Sequence, residues 1–235
     1  MKIIVPLAGP DFVRKNGSTK AEINHLGEDL LHYILKRRPW FGIALSCDYI
    51  FILEDKNATR KLAKEKIKIW FPGCKIIFLS DTTGGAAYSS ACSSAYFCDP
   101  NESLIIDLAD IDYELDSSIV SKITALGEGD AIALTFSSTN PIYSYLLFDR
   151  NGEFIESKEK QVISSIASAG TYIFGSGLSF IKAFENALRN KSKYLHDGMM
   201  YLCPLFNGVK ANAGTVKKVD VANVFDLKLG EQNGP

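Results

Sequence analysis

The sequence is short of long apolar runs, of histidine and of excess charge of either sign. No stretch approaches the roughly 18–20 consecutive apolar residues of a membrane-spanning helix. The start, MKIIVPLAG, has too few apolar residues and too little basic charge for a secretory signal. The expectation is a cytoplasmic protein with no membrane insertion. Lys and Arg number 26 against 27 Asp and Glu, a formal net charge of -1. Without a basic excess there is no surface for nucleic acid or for an anionic membrane, which leaves a small-molecule partner. Only 3 histidines occur, His25, His32 and His196, and they form no motif with the 5 scattered cysteines. Cys47, Cys74, Cys92, Cys98 and Cys203 lack CxxC spacing, which excludes a zinc site or disulfide frame and reads as reduced core thiols. A Gly/Ser/Pro linker and a charge run are missing too. The 235 residues therefore read as one domain over 1–229, with 230–235 a frayed polar tail.

What is present centres on residues 102–112, ESLIIDLADID. Leu104, Ile105 and Ile106 read as a strand buried on both faces, the kind found inside a mostly parallel sheet. Asp107, Asp110 and Asp112 follow at or past its carboxyl end. Ligands of open α/β sheets bind at that edge, where carboxylates can hold a divalent ion against a phosphorylated ligand. The other reading of each aspartate is a turn or helix cap.

The rest of the chain has a βαβ rhythm, which implies right-handed crossovers. Residues 2–7 form a strand that turns at Ala8 and Gly9, small enough for a ligand to approach the backbone. The polar, basic loop of residues 11–20 is longer than a simple connection requires, and Arg14, Lys15 and Lys20 are either phosphate partners or solvated cations. Glu28 and Asp29 open a helix carrying Leu30, Leu31, Ile34 and Leu35. Residues 49–53 are a strand, Asn57 caps a helix with Leu62, Ala63, Ile67 and Trp70 inward, and residues 75–79 are a third strand. Gly84 and Gly85 run into a helix lined by Ala and Ser, which serves either close ligand approach or tight packing. Residues 131–136 form another strand. Asn151-Gly152 turns a hairpin between residues 143–148 and 153–157. Residues 169–174 and 216–221 are strands around a helix with Leu178, Ile181, Phe184, Ala187 and Leu188 on one face. The fold class is α/β: a single domain with a mostly parallel central sheet flanked by helices, Rossmann-like, with an added antiparallel hairpin.

These residues carry a likeness. From end to end the chain resembles the nucleotidyltransferases of GT-A-like fold, the sugar-1-phosphate and phosphocholine type, and most nearly their capsule and surface-polysaccharide branch. The likeness lies in VPLAG (5–9), in Lys20 and Gly27 at the places of the family's lysine and GKP glycine, in TTGGAAYS (82–89), and in the acid-ended strand to Asp110. It continues in TFSSTNPIYSY (135–145), Glu159-Lys160, ASAGTYIF (167–174) and YLCPLFN (201–207). The resemblance implies a reaction in which a nucleoside triphosphate and a phosphorylated small-molecule acceptor give a nucleotide-activated product and pyrophosphate. It implies that Leu7, Ala8, Gly9, Gly84 and Gly85 hold base and ribose, that Lys20 and Arg14 meet the triphosphate, and that Asp110, with Asp112 beside it, binds Mg2+. Glu159, Lys160 and Gly170 would face the acceptor, with Asp197 and Tyr201 joining them, and Lys20, Asp110 and Lys160 would carry catalysis. A homo-oligomer is compatible with it.

The chain also departs from that pattern. Asp11 stands where the family's glycine-rich turn has its second Gly, and Val13 where it has Arg, with Arg14 one residue on. The lysine segment, Ser18-Thr19-Lys20-Ala21-Glu22, lacks flanking proline. At the place of a second metal-binding acid the chain offers Asn207, with Asp197 and Asp112 as stand-ins. Two further readings follow: a glycosyltransferase of the same fold class that uses Asp110-Ile111-Asp112 as a D-x-D motif, and a non-catalytic nucleotide-binding relative.

Overall fold

A computed structural model describes residues 1–97 and 99–226. The tail expected at 230–235 lies outside them. Among the described residues nine strands make the central sheet. They are β1 (Lys2–Leu7), β2 (Tyr49–Glu54), β3 (Lys75–Leu79), β4 (Leu104–Asp107), β5 (Ala131–Ser137), β6 (Tyr145–Phe148), β7 (Phe154–Lys158), β8 (Ile166–Phe174) and β9 (Val216–Asp220). β2 is buried along its whole length, as its run of Tyr, Ile, Phe and Leu requires.

The order β3-β2-β1-β4 is parallel throughout, so the carboxyl ends of these strands share one edge. β8 then runs antiparallel to β4 on one side and to β5 on the other, and β9 adds parallel to β5. β6 and β7 form the expected hairpin. Antiparallel pairing thus enters at the centre of the sheet as well as in that hairpin. The sheet stays mostly parallel and flanked by helices.

Alternate side chains of each strand feed two cores. Ile3 and Val5 point to one face, against the helix Leu30–Lys36, the helical run beginning at Asn57–Leu62, and the helix Ile119–Thr124. Ile4 points to the other face, against the helices Ala86–Ala91, Gly177–Arg189 and Leu205–Ala211. Each fully buried Ile or Phe stabilises the fold by about 1.5–3 kcal/mol relative to exposure. Among the described residues no helix is long and apolar enough to cross a membrane.

Local expectations shift where tertiary contacts outweigh propensity. Glu28 and Asp29 pair as a short ladder with Asn24–His25, and the helix begins at Leu30. The next helix is capped at Lys56, whose N–H donates to the Thr59 hydroxyl, leaving Asn57 as its first residue. Residues 195–200 form a hairpin, Leu195–His196 against Met199–Met200. Its turn residues Asp197 and Gly198 have φ of 49° and 76°, the pair of positive angles that a two-residue hairpin turn needs. A last strand, Ala222–Asp226, returns to pair with Ile111–Glu114.

The cores hold acids that stay neutral. Burial pushes the phenols of Tyr49, Tyr113 and Tyr172 and the thiol of Cys203 up. In the unfolded chain these groups lose protons near pH 8.5 for Cys and about 10 for Tyr. Above those values the folded state binds more protons than the unfolded state, so stability falls as pH rises; below them the contribution is complete. Thermal unfolding is expected to give a level Tm to about pH 8.5 and a decline that steepens past pH ~10. A level Tm to pH ~11 would mean that these groups ionise in place.

Candidate functional site

Four segments meet at the carboxyl edge of the parallel strands. The first is the loop after β1. Leu7 and Ala8 are buried and Gly9 is exposed. The loop folds on itself: Phe12 N–H donates to the Gly9 carbonyl at 3.1 Å, Arg14 N–H to Ser18 at 2.8 Å, and Lys20 N–H to Phe12 at 2.9 Å. Thr19 is buried and donates through its hydroxyl to Glu22 at 2.8 Å. Lys20 therefore has a defined origin. Its Nζ lies 2.6 Å from Asp11 Oδ2, so an acid of the same loop has taken the lysine as its partner. Arg14 is exposed.

The second segment is the turn after β4. Asp107 is fully buried and held by Arg38 at 2.7 and 3.2 Å, which makes it part of the frame. Asp110 stands beyond it, half-buried. Asp112, which the sequence reading sets beside Asp110 as a metal ligand, is met by Arg37 Nε at 3.2 Å.

The third segment is a bulge in β8. Between Ser168 and Tyr172 the register against β5 shifts, and Gly170 sits in the bulge with φ of 75°. A Cβ there would lie 2.9 Å from Asp110 Oδ1. Glycine is needed at 170 both for its backbone angle and for the room it leaves to Asp110.

The fourth segment is the last described strand, whose end no local signal marks as functional. Asp226 pairs in register with Ile111, which sets it beside Asp110. Tyr143 bonds to Asp226 and feels the charge of Asp110. Burial, a hydrogen bond to Asp226, and the charges of Asp226 and Asp110 all push its phenol up. Asp226 is 8% exposed. Sequence reasoning looked for a second acid at Asn207, Asp197 and Asp112 and did not find Asp226. Its one signal is a carboxylate after a short partly apolar run, ANVF, and nothing in the spacing joins that run to Asp110.

Lys160 links Tyr143 to Tyr201. Lys160 has φ of 51°, donates its N–H to the Tyr143 carbonyl at 3.1 Å, and reaches the Tyr201 hydroxyl with Nζ at 3.4 Å. Glu159 is buried and accepts a hydrogen bond from the Ser144 hydroxyl. Asn207 spends its amide on both backbone groups of Ser157, at 2.8 and 2.9 Å, and so pins β7. Asp197, with its side chain 84% exposed, occupies the hairpin turn.

The glycine pair packs against that hairpin. Met200 N–H donates to Gly84 O at 2.7 Å, and Gly85, at φ of 121°, lies so near that a Cβ would be 2.4 Å from Met200 O. Of the two uses open to these glycines, tight packing is in place.

Among the described residues no group of three or more carboxylate, imidazole or thiol ligands gathers for a metal. Asp110 and Asp226 would give a cation two hard oxygen donors. Mg2+ commonly takes one or two carboxylates from a protein and the remaining ligands from phosphate oxygens and water. The donor set fits that mode.

No family model and no curated sequence matches the chain. Solved structures do. A nucleoside-diphosphate-sugar pyrophosphorylase from Vibrio cholerae superposes with a TM-score of 0.80 at 18% identity, over 97% of this chain and 95% of that one. A putative glucose-1-phosphate thymidylyltransferase from Bacillus anthracis gives 0.74 at 18% identity, over 99% and 94%. The inositol-1-phosphate CTP transferase from T. maritima gives 0.68 at 14% identity, over 95% and 86%. At such identities the likeness establishes the fold, and the site must speak for the chemistry.

Proposed function

We propose that this protein is an Mg2+-dependent nucleotidyltransferase. It moves a nucleoside monophosphate from a nucleoside triphosphate to a phosphorylated sugar or related headgroup and releases pyrophosphate, in the cytoplasm, for surface-polysaccharide assembly. The observation that carries the reading is the pairing of Asp226 with Ile111, next in sequence to Asp110, while Asp110 itself lies against Gly170 at the carboxyl edge of the parallel strands. The metal role assigned to Asp112 passes to Asp226.

The acceptor's phosphate oxygen is ionised near neutral pH and needs no general base. The chain's task is in-line positioning and charge neutralisation. Asp110 and Asp226 would hold the cation, and Gly170 keeps the backbone low so that the acceptor can lie close to them. Lys160, steadied by Tyr201, offers an ammonium to the acceptor phosphate, and Lys20 offers one to the triphosphate. Bound Mg2+ would supply neutralisation of the phosphates and of the leaving pyrophosphate.

The Lys20–Asp11 pair favours a second reading, a relative that binds nucleotide without turning it over, because a triphosphate must compete with Asp11 for the lysine. The glycosyltransferase reading has less support, since Arg37 occupies the second carboxylate of its D-x-D. Calorimetric titration with CTP, UTP, TTP, GTP and ATP and with a set of nucleotide sugars, each with and without Mg2+, separates the three when followed by pyrophosphate release over a panel of sugar 1-phosphates. One triphosphate is expected to bind in an Mg2+-dependent way and to turn over. Binding without turnover across the panel would support the second reading. Binding of nucleotide sugars alone would support the glycosyltransferase.

A further inference from the structure

We propose that Arg38 is a positioning residue, which holds the turn of residues 107–111 in the shape that presents Asp110 to Asp226. The inference rests on the reading of those two carboxylates given above. Arg38 lies just past the helix Leu30–Lys36, remote in sequence from the site, and is 2% exposed. Its guanidinium grips both ends of the turn. Nε donates to Asp107 Oδ2 at 2.7 Å and Nη2 to Asp107 Oδ1 at 3.2 Å, while the same Nη2 donates to the Ile111 carbonyl at 2.9 Å.

Between these anchors the backbone has little freedom left. Ala109 N–H donates to Asp107 Oδ1 at 2.9 Å, and Ala109 takes φ of 52°, a left-handed angle that alanine rarely adopts. Leu108 N–H donates to the Gly170 carbonyl at 3.0 Å. The Asp110 side chain is what the turn displays.

The grip extends to the opposite wall. The guanidinium carbon lies 3.8 Å from the centre of the Tyr113 ring. The Tyr113 hydroxyl is 2.7 Å from the Thr171 hydroxyl, next to Gly170. One buried cation therefore ties together the turn that bears Asp110 and the bulge that faces it.

Stability is a poor reason for such a group. Burying an ion pair costs desolvation that its attraction often does not repay, and apolar side chains of similar volume in place of both partners are frequently as stable or more so. Arg38 Nη1 is buried and makes no hydrogen bond among the described residues, which adds to that cost. What an apolar side chain cannot do is hold a carboxylate and a carbonyl four residues apart at once. Lysine, with one ammonium, lacks the fork to do it.

The test uses the full chain and Mn2+ alone as probe, with free ion followed by electron paramagnetic resonance. Wild type is expected to bind Mn2+ and Asp110→Ala to lose that binding. Arg38→Met is expected to fold, with an unchanged circular dichroism spectrum, and to bind Mn2+ about 10–100-fold more weakly, the usual effect of removing support behind a metal ligand. If Arg38→Met does not fold, Arg38→Lys carries the test, since it keeps a counter-charge for Asp107 without spanning the turn. A folded Arg38 variant with wild-type Mn2+ affinity would overturn the positioning role and leave the carboxylate pair standing. Equal binding, or none, by wild type and Asp110→Ala would instead overturn the site reading and this role with it.

Discussion

Asp226→Ala is expected to lower kcat/KM for pyrophosphate release by about 10²–10³-fold, the usual scale for removing one group that stabilises developing charge at a reacting centre. The protein should stay folded, because Asp226 lies on a short strand that among the described residues pairs with Ile111–Glu114 outside the central sheet, and its core contact, the partly buried Val224, is left in place. Alanine would leave Asp110 as a single carboxylate, and a cation bound through one ligand is held more weakly. Asp226→Asn separates charge from shape, since an amide can still face the Tyr143 phenol. It should recover folding detail and little activity. Asp112→Asn is the matched comparison, and its effect should be several-fold at most because the carboxylate serves Arg37. Steady-state rates for the three variants decide the matter. Near-wild-type turnover by Asp226→Ala, with loss in Asp112→Asn, would return the metal role to Asp112.

Gly85→Ala is expected to destabilise the fold by about 2–6 kcal/mol. A residue with a side chain held at positive φ costs about 1–3 kcal/mol, and forcing atoms into an occupied space costs about 1–3 kcal/mol more. The occupied space here is the Met200 backbone, with O at 2.4 Å and N at 2.8 Å from the added carbon, and backbone cannot swing aside as a side chain would. For a chain of this size the loss corresponds to a Tm about 5–20 °C lower. Gly84 is the internal control. Its added Cβ would meet only the edge of the Tyr88 ring at 3.3 Å, and its φ is not in the left-handed region. Gly84→Ala should therefore change Tm by a few degrees at most. If the two variants melt alike and differ only in nucleotide affinity, Gly85 is kept for the ligand and not for the hairpin.

Much of the framework was legible in the residues themselves. Runs such as IIV, YIFIL and LII have no polar alternation, and a strand of that kind is stable only with both faces covered, which dictates a sheet between two layers of helices. Asn151-Gly152 carries its turn geometry locally and fixes the β6–β7 hairpin wherever it lies in the fold. Gly170 falls within the run 169–174 that reads as a strand, and the bulge explains why it is glycine. Lys20 opens a short helical turn, and Asp110 and Lys160 lie in loops, all near the edge where such sheets bind ligands.

The partners of these groups were not legible. Strand direction follows from how the chain returns, so the antiparallel run of β8 between β4 and β5 has no signature in IASAGTYIF. Two aspartates in D-x-D spacing look like a pair, yet Arg37 claims the second and the chain's return brings Asp226 to the first. Asp11 looks like a carboxylate set against a triphosphate, and in the fold it is the ion-pair partner of Lys20. By itself the sequence determined which segments are buried, where they turn and which groups could bear charge, because backbone preference and apolar periodicity act between near neighbours. Tertiary structure alone decided which charges meet, because an ion pair or a metal site depends on a few ångströms between groups that the chain holds far apart.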